Sequence, residues 1–328
     1  MSAVVDDAAG AALCSQFAEY WPEYRAWMAQ AELGDAAECA AQLRSNMPEL
    51  SGMFDRLVGL LSPVGDRFGA VEGEVTRFLS LYCPPRLVRA CSQLVLDDGD
   101  GAVLIRSYDH HPDLFDGVLL KSEQSGTPTL AVTDCMWGAL DGVNAHGCVV
   151  ALAFGGRNAL GPGFAAPLIV RYVLETCRDV TDARAALARA AVYMPYTFVV
   201  ADASGGFVTA FLSPDREAVF VERRTSANHQ GAVEWPAYCA HTESVDRLSA
   251  LESLVGGTDR LDAARGAFVR SPLWRHAYSK AAGTLYVAEY RSGSRSLVLR
   301  WPGREERFSL DGFEPREFSV DLSQEAGV

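Results

Sequence analysis

Along the first eighty residues apolar positions recur at three- and four-residue intervals, and beyond Pro84-Pro85 they give way to short runs separated by Gly, Asp and Ser. The first pattern predicts helices and the second strands. Ala11, Leu13, Phe17, Tyr20, Trp21, Tyr24 and Met28 place a helix over 8–31, with Pro22 expected to kink or break it. Further helices are predicted over 35–44, 50–61 and 71–81. After the prolines come strands over 93–98, 102–108, 117–121, 129–134 and 148–154, the first two closed into a hairpin by Asp97-Asp-Gly-Asp-Gly101. Asp141-Gly-Val-Asn144 reads as a turn between the last two. Helices come next over 166–178, with Pro167 in its first turn, and 181–192, capped by Thr181. A hairpin of 196–203 and 206–213 and a strand over 218–222 succeed them. Helices over 243–256, with Val245, Leu248, Leu251 and Leu254 on one stripe, and over 258–269 precede a closing hairpin of 283–290 and 296–301. The last 25 residues look peripheral. This alternation of strands and helix pairs fits a four-layer αββα sandwich of mixed α/β (α+β) class, preceded by a helical segment, 1–90, and occupying 91–328.

Composition narrows the partners. A chain of 328 residues with 49 % hydrophobic content supports a substantial core. A net charge of −13, with Lys121 and Lys280 the only lysines, argues against nucleic acid and anionic membranes and toward small molecules. The N-terminal stretch lacks the charged and apolar regions of a signal peptide, and no run of eighteen apolar residues occurs, so a cytoplasmic protein is expected. Gly155-Gly-Arg-Asn-Ala-Leu-Gly-Pro-Gly163 reads as a flexible loop, but without Gly-Lys-Ser/Thr it is no phosphate loop. The eight cysteines form no CxxC and no short pairs, so neither a metal nor a redox motif is expected. His110 and His111, adjacent and pointing apart, make poor joint ligands.

One cysteine stands out by its place in a hairpin. Cys91 begins the hairpin and so starts a strand, and the hairpin returns Arg106 and Asp109 toward it, so a nucleophile, a cation and an anion meet at one sheet end. Asn228, in Thr225-Ser-Ala-Asn-His229, leaves the sheet at a strand end, where its amide has two N–H donors to offer an oxyanion.

Taken in order, Ala90-Cys91-Ser92, Arg106-x-x-Asp109, Asp141-Gly-Val-Asn144-x-x-Gly147, Pro195-Tyr-Thr-Phe-Val-Val-Ala-Asp-Ala-Ser-Gly205, Asn228-His229, the Ser244-x-x-Arg247 helix, and Gly283-Thr-Leu-Tyr286 with the strand pair ending at Pro302-Gly303 resemble the N-terminal-nucleophile (Ntn) hydrolases. The likeness is to the acyl-coenzyme A:isopenicillin N acyltransferase family, peptidase family C45. The resemblance implies self-cleavage at the Ala90–Cys91 junction, after which the Cys91 α-amine acts as base for its own thiol. In this reading Arg106 favours the thiolate, Asp109 holds the amine, Asn228 and the Tyr108 backbone N–H bind the oxyanion, Asn144 helps fix the amine or substrate, and His229 lies beside the substrate. No cofactor is implied, acyl-coenzyme A entering only as a substrate, and the partner is a small-molecule amide or acyl donor, with a role in secondary metabolism. The two fragments stay associated, and a homo-oligomer is compatible with the reading. Two positions depart from the family: Ala90 stands where Gly is common, and no arginine precedes Thr284, Lys280 being the nearest cation. Two alternatives are an unprocessed, silent binding protein and a Cys-His hydrolase that uses His229 without self-cleavage.

Overall fold

The computed structural model describes residues 1–5, 10–30, 34–256, 260–280 and 282–322. A short strand, β1 (Ser2–Val5), precedes helices α1 (Ala11–Met28), α2 (Ala36–Asn46), α3 (Ser51–Arg67) and α4 (Glu74–Ser80). Strands β2 (Ala90–Asp97), β3 (Ala102–His110), β4 (Val118–Ser122), β5 (Thr129–Asp134), β6 (Gly138–Asn144) and β7 (Val149–Phe154) lead to helices α5 (Ala166–Thr176) and α6 (Val180–Arg189). Next come β8 (Tyr196–Ala201), β9 (Phe207–Ser213), β10 (Arg216–Val221), β11 (Thr225–Ser226) and helices α7 (Pro236–Thr242), α8 (Ser244–Ser253) and α9 (Arg260–Phe268). Strands β12 (His276–Ala277), β13 (Ala282–Arg291), β14 (Ser296–Trp301), β15 (Arg304–Ser309) and β16 (Arg316–Glu317) close the chain.

Two sheets result. One runs β10-β9-β8-β7-β6-β5-β4-β1-β16; the other runs β11-β2-β3-β13-β14-β15, with β12 beside β13. They stack face to face, α5 and α6 covering the first and α8 the second, with α7 against α8 and α9 tied to β13 through Arg265 and Glu289, so the four layers are those expected. The first ninety residues are woven into this arrangement: β1 pairs in parallel with β4 and antiparallel with β16. The Met1 amine donates to the Phe318 carbonyl.

Helix α1 passes through Pro22 without a break. An interior proline costs a helix about 3 kcal/mol. Burying Phe17 and Trp21 completely, stacked at 4.8 Å with Phe78 against Trp21, contributes about 3–6 kcal/mol for the pair and outweighs it. The cap of α6 is Asp179, which accepts from the Asp182 N–H, and not Thr181. The stretch Asp141–Asn144 is the end of strand β6 rather than a turn. Its Gly142 is demanded by close packing: a Cβ there would sit 2.7 Å from Leu174 of α5 and 2.8 Å from the Leu130 carbonyl. The loop expected over 155–163 packs against the Pro195 and Tyr193 carbonyls, with Arg157 bound to Ser213 and Asp215. The C-terminal residues are not peripheral up to 322, since β15 extends the second sheet and β16 the first; 323–328 lie outside the described residues. Among the described residues no helix is long and apolar enough to cross a membrane.

Candidate active site

The β2–β3 hairpin sets Cys91 directly opposite Tyr108 and Ala90 opposite Asp109. On the other side β11 pairs Ser226 with Gln93, and continuing that register two residues brings Asn228 to Cys91. On the far side of β3, β13 places Tyr286 beside Tyr108 and Thr284 beside Asp109. Pairing within one sheet thus assembles residues from three distant stretches, the β2–β3 hairpin, the end of β11 and β13, around one sulfur.

Cys91 is completely buried. Arg106 Nη2 lies 3.2 Å from its Sγ, while Nη1 of the same guanidinium donates to Asp141 and, at 2.8 Å, to the Tyr286 hydroxyl. Asp141 comes from β6 in the opposite sheet and also accepts from the hydroxyls of Tyr286 and Tyr290, each at 2.6 Å. Burial pushes the Cys91 thiol above its ordinary pKa; the Arg106 charge opposes this without overcoming it. In the unbroken chain the sulfur is therefore held as a thiol. Expected consequence: iodoacetamide leaves Cys91 unmodified in uncleaved protein at pH 7, and rapid labelling there, read by peptide mass mapping, would contradict the environment described.

The backbone of Cys91 is gripped from both sides. Its N–H donates to Asn228 Oδ1 at 2.9 Å, and its carbonyl accepts from Arg247 Nη1 at 2.5 Å. Arg247, fully buried on α8, also donates to Ser92 Oγ and to Asn228 Oδ1. The same guanidinium stands 3.8 Å from Asp109 Oδ2. Asp109 Oδ1 accepts from Thr284 Oγ1 at 2.8 Å, whereas Oδ2 makes no hydrogen bond. Burial raises the Asp109 pKa, opposed by Arg247, Arg275 and the Thr284 hydroxyl. Asn228 Nδ2 donates to the carbonyls of Phe154 and Arg89, at 3.0 and 3.4 Å. Gly156 backs this asparagine at φ +70°, where a Cβ would come within 2.0 Å of the Asn228 carbonyl, so only glycine fits.

Cys91, Arg106, Asp109 and Asn228 therefore converge, with Tyr108 facing the cysteine across the ladder. Asn144 does not join them: its amide is spent on the carbonyls of Leu174 and Cys177 and on the N–H groups of His146 and Cys148, locking the turn after β6. The His229 ring bonds Ser244 Oγ at 2.8 Å, and burial lowers its pKa, which keeps it neutral. Three participants escape sequence reasoning. Asp141 and Arg247 stand inside motifs whose other residues drew the roles, while Arg275 is carried to Thr284 by β12, the two exchanging backbone and side-chain hydrogen bonds at 2.8 and 2.9 Å. The Arg275 guanidinium itself donates to Glu243 Oε2 at 3.2 Å and to the His241 carbonyl at 2.8 Å. On α8 the buried face is Ser244, Arg247 and Leu251, and Val245 of the expected apolar stripe is 51 % exposed.

A second buried cluster adjoins the first. Arg89 Nη2 pairs with Asp134 Oδ2 at 2.6 Å, and Tyr24 bridges Asp134 and Asp116. Burial, then repulsion from Asp134, pushes Asp116 up to about 8. An unfolded Asp titrates near 3.9, so between about pH 4 and 8 the folded chain holds a proton that unfolding releases, and stability falls as pH rises across that window by about 1.4 kcal/mol per pH unit. Asp116→Asn is expected to flatten this slope when urea unfolding is compared from pH 5 to 7; identical slopes for the two proteins would refute it. Among the described residues no cluster of His, Cys, Asp or Glu is arranged to hold a metal.

Helices thus flank a double sheet, and polar groups from both sheets and from α8 converge on one buried sulfur, that of Cys91. The chain belongs to the acyl-coenzyme A:6-aminopenicillanic acid acyl-transferase family, whose model matches residues 96–306, a span that starts after Cys91 and contains Arg106, Asp109, Asn228 and Arg247. Among solved structures it is similar to penicillin V acylase from Agrobacterium tumefaciens, at 13 % identity and TM-score 0.48, covering 72 % of this chain and 89 % of that one. It is also similar to a mutant of conjugated bile acid hydrolase from Clostridium perfringens, at 12 % identity and TM-score 0.43, covering 71 % of this chain and 97 % of that one. No curated protein matches the chain.

Proposed function

We propose that this chain is a self-processing cysteine amidohydrolase or acyltransferase that cuts itself between Ala90 and Cys91 and then acts on a small-molecule amide or thioester. The observation that carries the reading is the double hold on Cys91: its backbone N–H on Asn228 Oδ1, its sulfur on Arg106. An amine released at that nitrogen is already anchored next to its own thiol.

In self-processing, the thiol adds to the Ala90 carbonyl carbon, the Ala90–Cys91 C–N bond breaks, and the thiol proton passes to the departing nitrogen. A thioester links Ala90 to Sγ. Water hydrolyses it, giving an Ala90 carboxylate and a free Cys91 thiol. In turnover, the α-amine, whose reference pKa is about 7.7–8.0 against about 8.5 for a thiol, takes the thiol proton. The thiolate attacks the substrate carbonyl, the amine leaves with that proton, and water or an acceptor amine resolves the acyl-enzyme. Asp109 Oδ2, lacking a hydrogen bond, is available to the new ammonium. Departure of the Arg89 carbonyl releases Asn228 Nδ2 and the Tyr238 hydroxyl, which both donate to it, for a developing oxyanion. The steps draw on groups of the chain alone, and acyl-coenzyme A would enter as an acyl donor. The fragments stay together because β1 lies inside the sheet. The Cys-His alternative finds no support in His229, whose Nδ1 is occupied by Ser244.

Intact mass of purified protein tests the reading. Cleavage yields pieces of about 10 and 26 kDa by scaling the 35.4 kDa total, the larger beginning at Cys91. Active preparations consisting only of whole chain would refute it, and a whole, inactive chain would favour the silent binding protein.

A further inference from the structure

Arg89 lies on the acyl side of the Ala90–Cys91 bond, one residue from the carbonyl that would be attacked. Its guanidinium is buried against Asp134 and lies 5.5 Å from the centre of the Tyr108 ring. Arg106, the partner of the thiol, lies 4.7 Å from the same ring centre. The pocket for Arg89 is thus one aromatic ring from the nucleophile. Its carboxylate is rigidly held: Tyr108 OH donates to Asp134 Oδ2 at 3.2 Å and the Cys135 N–H to Oδ1 at 2.9 Å. Cys135 and Met136 adopt left-handed backbone, φ 54° and 69°, a strained pair whose N–H groups are taken by Asp134, Tyr24 and Asp116. With Asp116 protonated near neutrality, the pocket presents one negative charge to one cation.

An ordinary structural ion pair has both partners fixed for good. This one has its cation on the segment that self-processing turns into a free chain end. Pro84, Pro85, Leu87 and Arg89 of that segment line a cleft together with Trp27, Phe154 and Cys135, the residue after Asp134, so withdrawal of the tail enlarges that cleft beside the carboxylate. Withdrawal also leaves a buried carboxylate without its counterion, which is strongly unfavourable unless another cation replaces it. Self-processing and turnover both bring a carbonyl carbon to the same Sγ, so the acyl groups of the two reactions start from one point.

We infer that the Asp134 pocket is the acyl-side specificity site, that Arg89 fills it before the tail withdraws, and that the external substrate carries a guanidinium or ammonium group on its acyl portion. The inference rests on the self-processing reading above and names the substrate class for it.

The test uses the full chain after purification and intact-mass analysis, with the 4-nitroanilides of arginyl-alanine and of its neutral isostere citrullyl-alanine. The expected kcat/KM ratio favours the arginyl substrate by about 100-fold, because the neutral analogue leaves the buried carboxylate unpaired. In Asp134→Asn the ratio is expected to collapse toward one. A wild-type ratio near one, or a ratio that survives Asp134→Asn, overturns the inference. Should the variant not fold or neither anilide turn over, protection of wild-type Cys91 from alkylation decides: arginyl-alanine is expected to protect and citrullyl-alanine not, and equal effects or none overturn it. A processed chain without cation preference sinks this inference alone, whereas an active chain that stays whole sinks the self-processing reading with it.

Discussion

Cys91→Ala is expected to give a single species at 35.4 kDa, with no fragments and amide turnover reduced by at least about 10⁴-fold. The effect is this large because, in the proposed function, one residue supplies the sulfur that cuts the chain and the sulfur that forms the acyl-enzyme. It is separable from misfolding. Alanine removes only the sulfur from a fully buried site, at a stability cost of about 1–2 kcal/mol, while the neighbours Arg106, Asn228 and Arg247 keep their other partners. Intact mass, a thermal melt and an acyl-amide assay on the same preparation check all three points. Normal turnover by this variant would remove Cys91 from the chemistry.

The second large effect is on stability. Asp141→Ala is expected to destabilise the fold by about 3–5 kcal/mol, against a total of about 5–15 kcal/mol for ordinary domains. Asp141 is fully buried and neutralises Arg106, itself without exposure, while accepting from two tyrosine hydroxyls. Deleting the carboxylate leaves the Arg106 charge without its counterion between two sheets and takes away the acceptor of both hydroxyls. Asp141→Asn, which keeps the shape and two acceptor lone pairs, should cost less. Urea unfolding of the two variants measures the difference, and an alanine variant within about 1 kcal/mol of wild type would mean that water reaches Arg106.

The parts of the site that are legible in the sequence are those set by local pairing. Asp97-Asp-Gly-Asp-Gly101 turns a hairpin, and a hairpin with one register brings Arg106 and Asp109 back to the end where Cys91 lies. Asn228 is legible as a polar residue leaving a strand end, although its oxygen and not its nitrogen faces the Cys91 backbone. Strand β6 is mistaken for a turn because glycine and aspartate resemble turn chemistry; here Gly142 makes room for α5, and Asp141 points into the opposite sheet. Helix α8 is rotated relative to its apolar periodicity, which puts Val245 inward where the chain buries Arg247. A hydropathy pattern cannot signal a buried charge whose partners, here Cys91, Asn228 and Asp109, lie remote in the chain.

By itself the sequence determined most of the helices and strands, though not β6 or the C-terminal strands β15 and β16, together with the four-layer class and the residue types capable of acyl transfer, since these arise from short-range periodicity and turn chemistry. The tertiary structure alone decided that Asp141 braces Arg106 from the opposite sheet, that Arg247 grips the Cys91 carbonyl, that Arg275 reaches Thr284 through β12, and that Asn144 serves a turn. Each is a contact between segments far apart in the chain, fixed by how two sheets stack and helices cover them, and stacking leaves no mark on local spacing.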